Sequence, residues 1–271
     1  MLMRSMKTHI LLTTLLLFFV NVSAQDVKPP TPNITPESSG KAGRGAGKIT
    51  TPSLAIVPTR IVITSATTPN DLARAAYLAQ GGDKYRDLKS MVLTGTVDLF
   101  APNSLQSVPG KFAIVTSGER SRTEFQSPVF SYRQISDGTR TYTSVPGMEM
   151  PPPNRFGINV LMKYNQPGYA VTALPDAKKL RAFRITDPDG NATDFFISTE
   201  TGRVMTFVVP YRGLTFGMDF KSVKEMEGVL VPNSFTQRLE MRQGAAFAEF
   251  KVKVVKLNQE LADDMFEIPT P

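Results

Sequence analysis

The sequence predicts a mainly β protein of the α+β kind: a large antiparallel curved sheet, or incomplete β-barrel, with a helix before it and a short lid helix inserted mid-chain. Three observations predict it. From Lys89 onward, apolar and polar residues alternate with a period of two over several long stretches. Short glycine-containing turn signals separate those stretches. Only two short helical segments follow residue 67, too few to cover so wide a sheet.

The chain opens with Arg4 and Lys7, an apolar run from Ile10 to Val20 broken only by Thr13 and Thr14, and the small triplet Val22-Ser23-Ala24. That order is the one a secretory signal peptide needs, with cleavage expected between Ala24 and Gln25. A transmembrane anchor would need ~20 apolar residues, and this run is about half that length. Residues 1–24 are therefore assigned to a signal peptide, and the expected destination is the periplasm or the exterior. No later segment is apolar for long enough to span a bilayer, so the protein is not expected to be integral to the membrane.

Residues 25–67 hold Pro29, Pro30, Pro32, Pro36, Pro52 and Pro58 among glycines and carry no aromatic side chain. Such a stretch buries too little apolar area to offset its ordering entropy and is expected to be a disordered spacer. Its apolar patch Ile61-Val62-Ile63 is a candidate short strand for the domain edge. The run Gly43 to Lys48 imitates a phosphate loop but has Ala42 and Ile49 where Gly and Ser or Thr are required.

The folded domain, residues 68–271, starts with a helix announced by Thr68-Pro69-Asn70-Asp71. Leu72, Ala75, Ala76 and Ala79 share one face, and Gly81-Gly82 stops it. This stripe of small residues lets the helix lie close against a sheet. Alternation is cleanest around Met91–Leu99, Leu214–Phe220 and Phe235–Met241. Turn signals stand at Ser117-Gly118, Asp137-Gly138, Asp189-Gly190-Asn191, Thr201-Gly202, Arg212-Gly213 and Gln243-Gly244. Together they predict about ten strands between residues 89 and 257, in meander order. One insertion breaks the meander. After Thr143 come Pro146, Met148, Met150 and Pro151-Pro152-Pro153, then a short helix from Phe156 to Tyr164 that is apolar nearly all round. A helix of that kind needs cover on more than one side and belongs inside or across the mouth of something.

Composition excludes much chemistry. The one histidine, His9, lies in the signal peptide, and there is no cysteine. Neither a Ser-His-Asp nor a Cys-His arrangement can be built, and zinc, copper and haem lose their usual ligands. Ser38 and Lys41 lie in the spacer, where nothing holds a Ser-x-x-Lys pair in geometry. Asp187, Asp189, Asn191 and Asp194 faintly resemble a calcium loop but read better as a hairpin turn. Asp263 and Asp264 read as a solvated turn. No catalytic residue, metal site or cofactor is predicted, and an enzyme is the least favoured class. The formal charge of +7 falls to about +5 once Arg4 and Lys7 are removed. Without a Lys/Arg cluster interleaved with aromatics, nucleic acid is not a predicted partner.

What remains is deformable apolar bulk: nine methionines and fifteen phenylalanines after residue 24, and no tryptophan. A wide sheet either packs its apolar face on helices or curls and leaves a cavity for an apolar ligand. Methionine suits a lining that adapts to flexible chains. The candidate ligand-binding residues are the inward positions Met91, Leu93, Val97, Leu214, Phe216, Met218, Leu239 and Met241, with Phe156, Val160, Leu161 and Met162 of the lid.

Several segments, in order, resemble the outer-membrane lipoprotein-sorting (LolA-like) superfamily: a helix ending in Gln80-Gly81-Gly82, the strand Leu93-Thr94-Gly95-Thr96-Val97, the proline-rich insertion, the hairpin Phe195 to Arg203, and the ending Val254 to Pro269. The resemblance covers about residues 68–271. It implies a periplasmic half-barrel whose concave apolar face is closed by helices, a role in carrying lipid or acylated protein cargo, and a link to outer-membrane biogenesis. No residue matches a defined functional position of the carriers, so none is carried over. A lipid or acyl-chain carrier is the first functional expectation. The alternative is a non-catalytic envelope adaptor whose core is filled by its own helices and whose partner is another envelope protein.

Overall fold

The computed structural model describes residues 61–241 and 244–269. The expected signal peptide, the expected spacer up to residue 60, the Gly43 to Lys48 run and the Ser38/Lys41 pair lie outside the described residues. At the start of the described chain, Ile61-Val62-Ile63 forms no strand. Val62 is exposed while Ile63 packs on the core, and a turn closed by Thr64 and Thr67 follows.

Helix α1, Pro69–Gln80, begins as its sequence requires. The Thr68 hydroxyl accepts from the Asp71 amide at 3.2 Å and donates to the Asp71 carboxylate at 2.7 Å, with Pro69 at the first helical position. Gly81 caps it with φ of 124°. Leu72, Ala73, Ala75 and Ala76 are buried, and Tyr77 and Gln80 join them, so the buried face is wider than the small-residue stripe alone. A single-turn helix α2, Asp83–Arg86, follows and buries Tyr85.

The remainder is one antiparallel sheet of twelve strands. In chain order they are β1 Met91–Phe100, β2 Ser107–Ser117, β3 Arg120–Gln126, β4 Ser131–Ser136, β5 Thr141–Thr143, β6 Ala170–Ala173, β7 Leu180–Thr186, β8 Ala192–Ser198, β9 Val204–Tyr211, β10 Leu214–Met226, β11 Val229–Met241 and β12 Gly244–Leu257. Their spatial order is β5-β4-β3-β2-β1-β12-β11-β10-β9-β8-β7-β6. The expected single meander is therefore two meanders, joined where the first strand pairs with the last. The sheet has two strands more than the ten expected; β5 and β6, three and four residues long, are too short for alternation to reveal.

This order has a direct consequence. β5 and β6 are adjacent in sequence and occupy opposite edges of the sheet, so residues 144–169 must travel from one edge to the other. They do so over the face that also receives α1, carrying helix α3, Ile158–Leu161. Curvature comes from bulges: β12 holds one extra residue, Lys253, between the partners of Thr94 and Gly95. Gly95 is required there, because a Cβ at that position would lie 2.0 Å from the Lys251 carbonyl oxygen and 2.9 Å from the Phe112 ring.

Apolar packing on the concave face divides in two. Around α1 and α3, Leu72, Leu161, Phe183, Phe195, Ile197 and Val231 are at most 1% exposed. At ~1.5–3 kcal/mol per fully buried large apolar side chain, this cluster is a main source of stability. Under β1, β2, β11 and β12 a second cluster stacks Phe235 on Phe250 at 4.4 Å, with Phe112 edge-on at 5.0 Å to Phe250. At the C-terminal end a 3-10 turn, Asp263–Phe266, sets the buried Phe266 against Val115 and Ile135.

Candidate functional site

Between the two packed regions the concave face is not filled. A cavity of about 150 Å³ lies there. Its walls come from β1, β2, β9, β10 and β11, and its roof is the inserted segment. Met91 and Leu93 of β1 face Phe207 and Val209 of β9, with Phe216, Met218 and Phe220 of β10 between them. Pro151, Pro153, Phe156 and Ile158 close it from above, while Gln80 and Tyr85 bound it on the α1 side. The lining is apolar with few exceptions. Gln80 spends its amide donor on the Leu230 carbonyl at 2.6 Å, and Asn159 donates to the Pro153 carbonyl at 3.0 Å, stiffening the roof. Burial pushes the Tyr85 hydroxyl well above its ordinary pKa, so the ring stays neutral and adds no charge to the wall.

The roof is held at its near end by the sheet edge. Tyr132 donates to the Met148 carbonyl at 3.0 Å; Gln134 donates to the Met150 carbonyl at 2.9 Å and accepts from the Met150 amide at 2.8 Å. Tyr211 donates to the Glu149 carboxylate, which also pairs with Arg212 at 3.0 Å. Burial raises the Tyr132 pKa to about 12; burial together with the Glu149 contact does the same for Tyr211. Further along, Gly157 has φ of 64°, and a Cβ on it would lie 2.7 Å from the Phe207 ring. Both the positive φ and this close approach demand glycine, and they seat the roof directly on the β9 wall.

Of the residues named from sequence, Met91, Leu93, Phe156, Phe216 and Met218 line this cavity. Val97 is buried in the Phe112–Phe250 cluster instead. Val160, Leu161 and Met162 are buried against α1, β7 and β8, in the filled part of the face. Leu214 and Leu239 pack behind the wall on Phe156, Val209 and Phe216. Met241 ends β11, half-buried, and lines neither the cavity nor an apolar cluster. Sequence reasoning missed Ile114, Val204, Phe207, Val209, Phe220 and Phe235 as wall residues. Phe220 and Phe235 were legible as inward positions of alternating strands. In Val204-Met205-Thr206-Phe207-Val208-Val209 nearly every residue is apolar, so no alternation marks the inward side.

Two other openings carry charged side chains. Phe156 also walls a pocket of about 240 Å³ lined by Glu149, Arg155, Arg212 and the hydroxyls of Ser136, Thr139 and Thr141. The larger, about 540 Å³, lies between the β6–β7 connection and the β8–β9 turn. The Asp187–Asp194 segment is the hairpin turn: Asp187 accepts from the Asp189 and Asn191 amides at 3.0 and 2.8 Å, and Asp194 forms a bidentate pair with Arg184 at 2.6 and 2.9 Å. No helix among the described residues is long and apolar enough to cross a membrane.

No protein-family model matches the chain, and no curated protein does. Among solved structures, a LolA superfamily protein from Nitrosomonas europaea superposes with a TM-score of 0.50 at 10% identity, over 75% of this chain and 99% of its own. A domain described as an outer membrane lipoprotein-sorting protein from Vibrio parahaemolyticus gives 0.46 at 11% identity, over 73% of this chain and 95% of its own. A DUF1329 family protein from Desulfovibrio piger gives 0.45 at 10% identity, over the same shares.

Proposed function

With the LolA-like fold as premise, we propose that this protein is an exported, periplasmic binding protein that holds the acyl chain of a lipid or of an acylated protein under its inserted roof. The observation that carries the reading is the cavity itself: between the helix-filled region and the Phe112–Phe250 cluster, the concave face leaves apolar space under the inserted segment. Its size sets a condition. An apolar cavity of roughly 150 Å³ accommodates a benzene-sized group. A chain of about a dozen methylenes enters only if the roof from Pro151 to Asn159 is displaced. The gain is large enough to do this: at ~0.8 kcal/mol per CH₂ such a chain contributes on the order of 10 kcal/mol gross. Association and roof reordering offset several of these, leaving roughly micromolar affinity.

Extraction of freshly purified protein with organic solvent, followed by mass spectrometry, tests the proposal. A stoichiometric acyl-bearing species is expected. The complete burial of Leu161 and its neighbours favours the second reading, an adaptor filled by its own helices. Lipid-free protein that also binds no added fatty acid would select that reading and reject the carrier.

A further inference from the structure

The largest of these three openings lies apart from the apolar cavity, where β7 begins, β8 ends and β9 begins. Four cationic side chains line it, Lys178, Lys179, Arg181 and Arg203, against two carboxylates, Asp176 and Glu200. Two of the cations are incompletely satisfied by the protein. Arg181 is fixed by Asp176, at 2.9 Å from Nε, and by the Thr67 carbonyl, at 3.2 Å from Nη2, yet its Nη1 is buried and finds no acceptor. Arg203 makes no ion pair among the described residues; its Nη2 reaches only the Met205 sulfur at 3.7 Å, and its Nε is buried without an acceptor. Buried guanidinium N–H groups without acceptors are costly, so both side chains gain by turning toward an anionic oxygen acceptor in the opening that they line.

The turn supplies further donors. Ser198 Oγ accepts from the Glu200 and Thr201 amides at 3.3 and 3.4 Å, and Thr201 Oγ1 accepts from the Arg203 amide at 3.3 Å. Each hydroxyl therefore keeps its own hydrogen to donate. Rigid guanidinium forks beside hydroxyl donors match the several oxygens of a phosphate better than a single point charge.

We propose that this pocket is a phosphate-binding site in which the guanidinium groups of Arg181 and Arg203 hold a phosphate group, free or on a lipid head group. Lys178 and Lys179 at the rim attract it. The proposal is independent of the acyl-chain reading, because none of these residues lines the apolar cavity.

The test is titration of inorganic phosphate into the isotope-labelled full protein, followed through the backbone amide resonances of residues 198–203. A parallel arm measures co-sedimentation with phosphatidylglycerol vesicles. Saturable shifts are expected, weakened at least tenfold by Arg203→Gln with the melting temperature unchanged, and two- to fivefold by Lys179→Gln. Should Arg203→Gln melt early, the Lys179→Gln arm decides. Lys256→Gln, an exposed position outside the pocket, leaves binding unchanged. Binding of phosphate assigns a free phosphate ester, and binding of vesicles alone assigns a head group; either supports the site. Absence of both, or unaltered binding by both pocket variants, overturns it.

Discussion

Two regions of one concave face, the part under α1 and the part under the proline-rich roof, behave differently. On the α1 side, small residues on the helix bring its backbone close to β6, β7 and β9, and Phe183, Phe195 and Ile197 are completely enclosed. Under the proline-rich roof, partly buried Met218, Phe207 and Phe220 face space. The sheet chemistry is the same in both places. The difference lies in what stands opposite: a helix built to approach closely, or a segment with Pro151-Pro152-Pro153 that lacks backbone donors and stands off. An apolar lining is thus a binding surface only where its own chain declines to fill it.

Charging the helix-filled region is expected to have the largest effect. Leu161→Asp places a carboxylate at a position 0% exposed with no partner and is expected to destabilise the domain by at least ~3–5 kcal/mol. Chemical denaturation reads this directly. A loss below about 1 kcal/mol would show that the region opens easily, contrary to its packing. Next in size, Phe195→Ala removes a ring stacked on Phe183 at 5.2 Å and is expected to cost ~3–5 kcal/mol. Met218→Ala on the cavity wall has fewer packing partners to lose and is expected to cost less than half as much. Equal losses would erase the distinction between the two regions.

A pH measurement separates them further. Tyr132 and Tyr211 tie the roof to the sheet and titrate near 12 in the folded protein, above their unfolded value of about 10. The sign follows from linkage: their contribution is complete below pH 10 and is lost as pH rises from 10 towards 12. Amide exchange in residues 148–156 is expected to accelerate over that window before the core of β7 and β8 opens. Simultaneous opening would show that the roof has no independent motion. The smallest effect concerns Glu124. Burial opposes its ionisation, but Arg122 and Arg133 at 2.6 and 2.7 Å hold its pKa below the usual carboxylate range. Its contribution is present above the unfolded carboxylate pKa and lost as pH falls through the lowered folded one. Glu124 is one-third exposed, so Glu124→Gln is expected to change stability by less than about 1 kcal/mol.

Local signals carried most of the fold. Thr68-Pro69 wrote the start of α1, and hairpins formed at Ser117-Gly118, Asp137-Gly138 and Arg212-Gly213 because glycine supplies the positive φ that tight turns need. The same logic would have found Glu227-Gly228, which joins β10 to β11 with φ of 53° and 80°. The β1–β12 pairing was not legible, since a contact between Met91 and Leu257 leaves no local mark. Without it, the roof could not be known to bridge opposite sheet edges. The cavity was partly legible for a related reason. Alternation tells which side chains face inward, as for Met218 and Val97 alike, but not whether another side chain already occupies the space in front of them.

On the proposed reading, the cavity beside Met218 takes an acyl chain and the strand positions outside it do not. Titration of a fluorescent fatty acid into the unmodified protein, Met218→Asp and Met241→Asp tests it most directly. Met218 lines the cavity, whereas Met241 was named from the same alternation and lies outside it. Roughly micromolar binding by the unmodified protein is expected, at least tenfold weaker binding by Met218→Asp, and unchanged binding by Met241→Asp, with melting curves confirming that both variants fold. No binding by the unmodified protein, or equal affinity in all three, would contradict it.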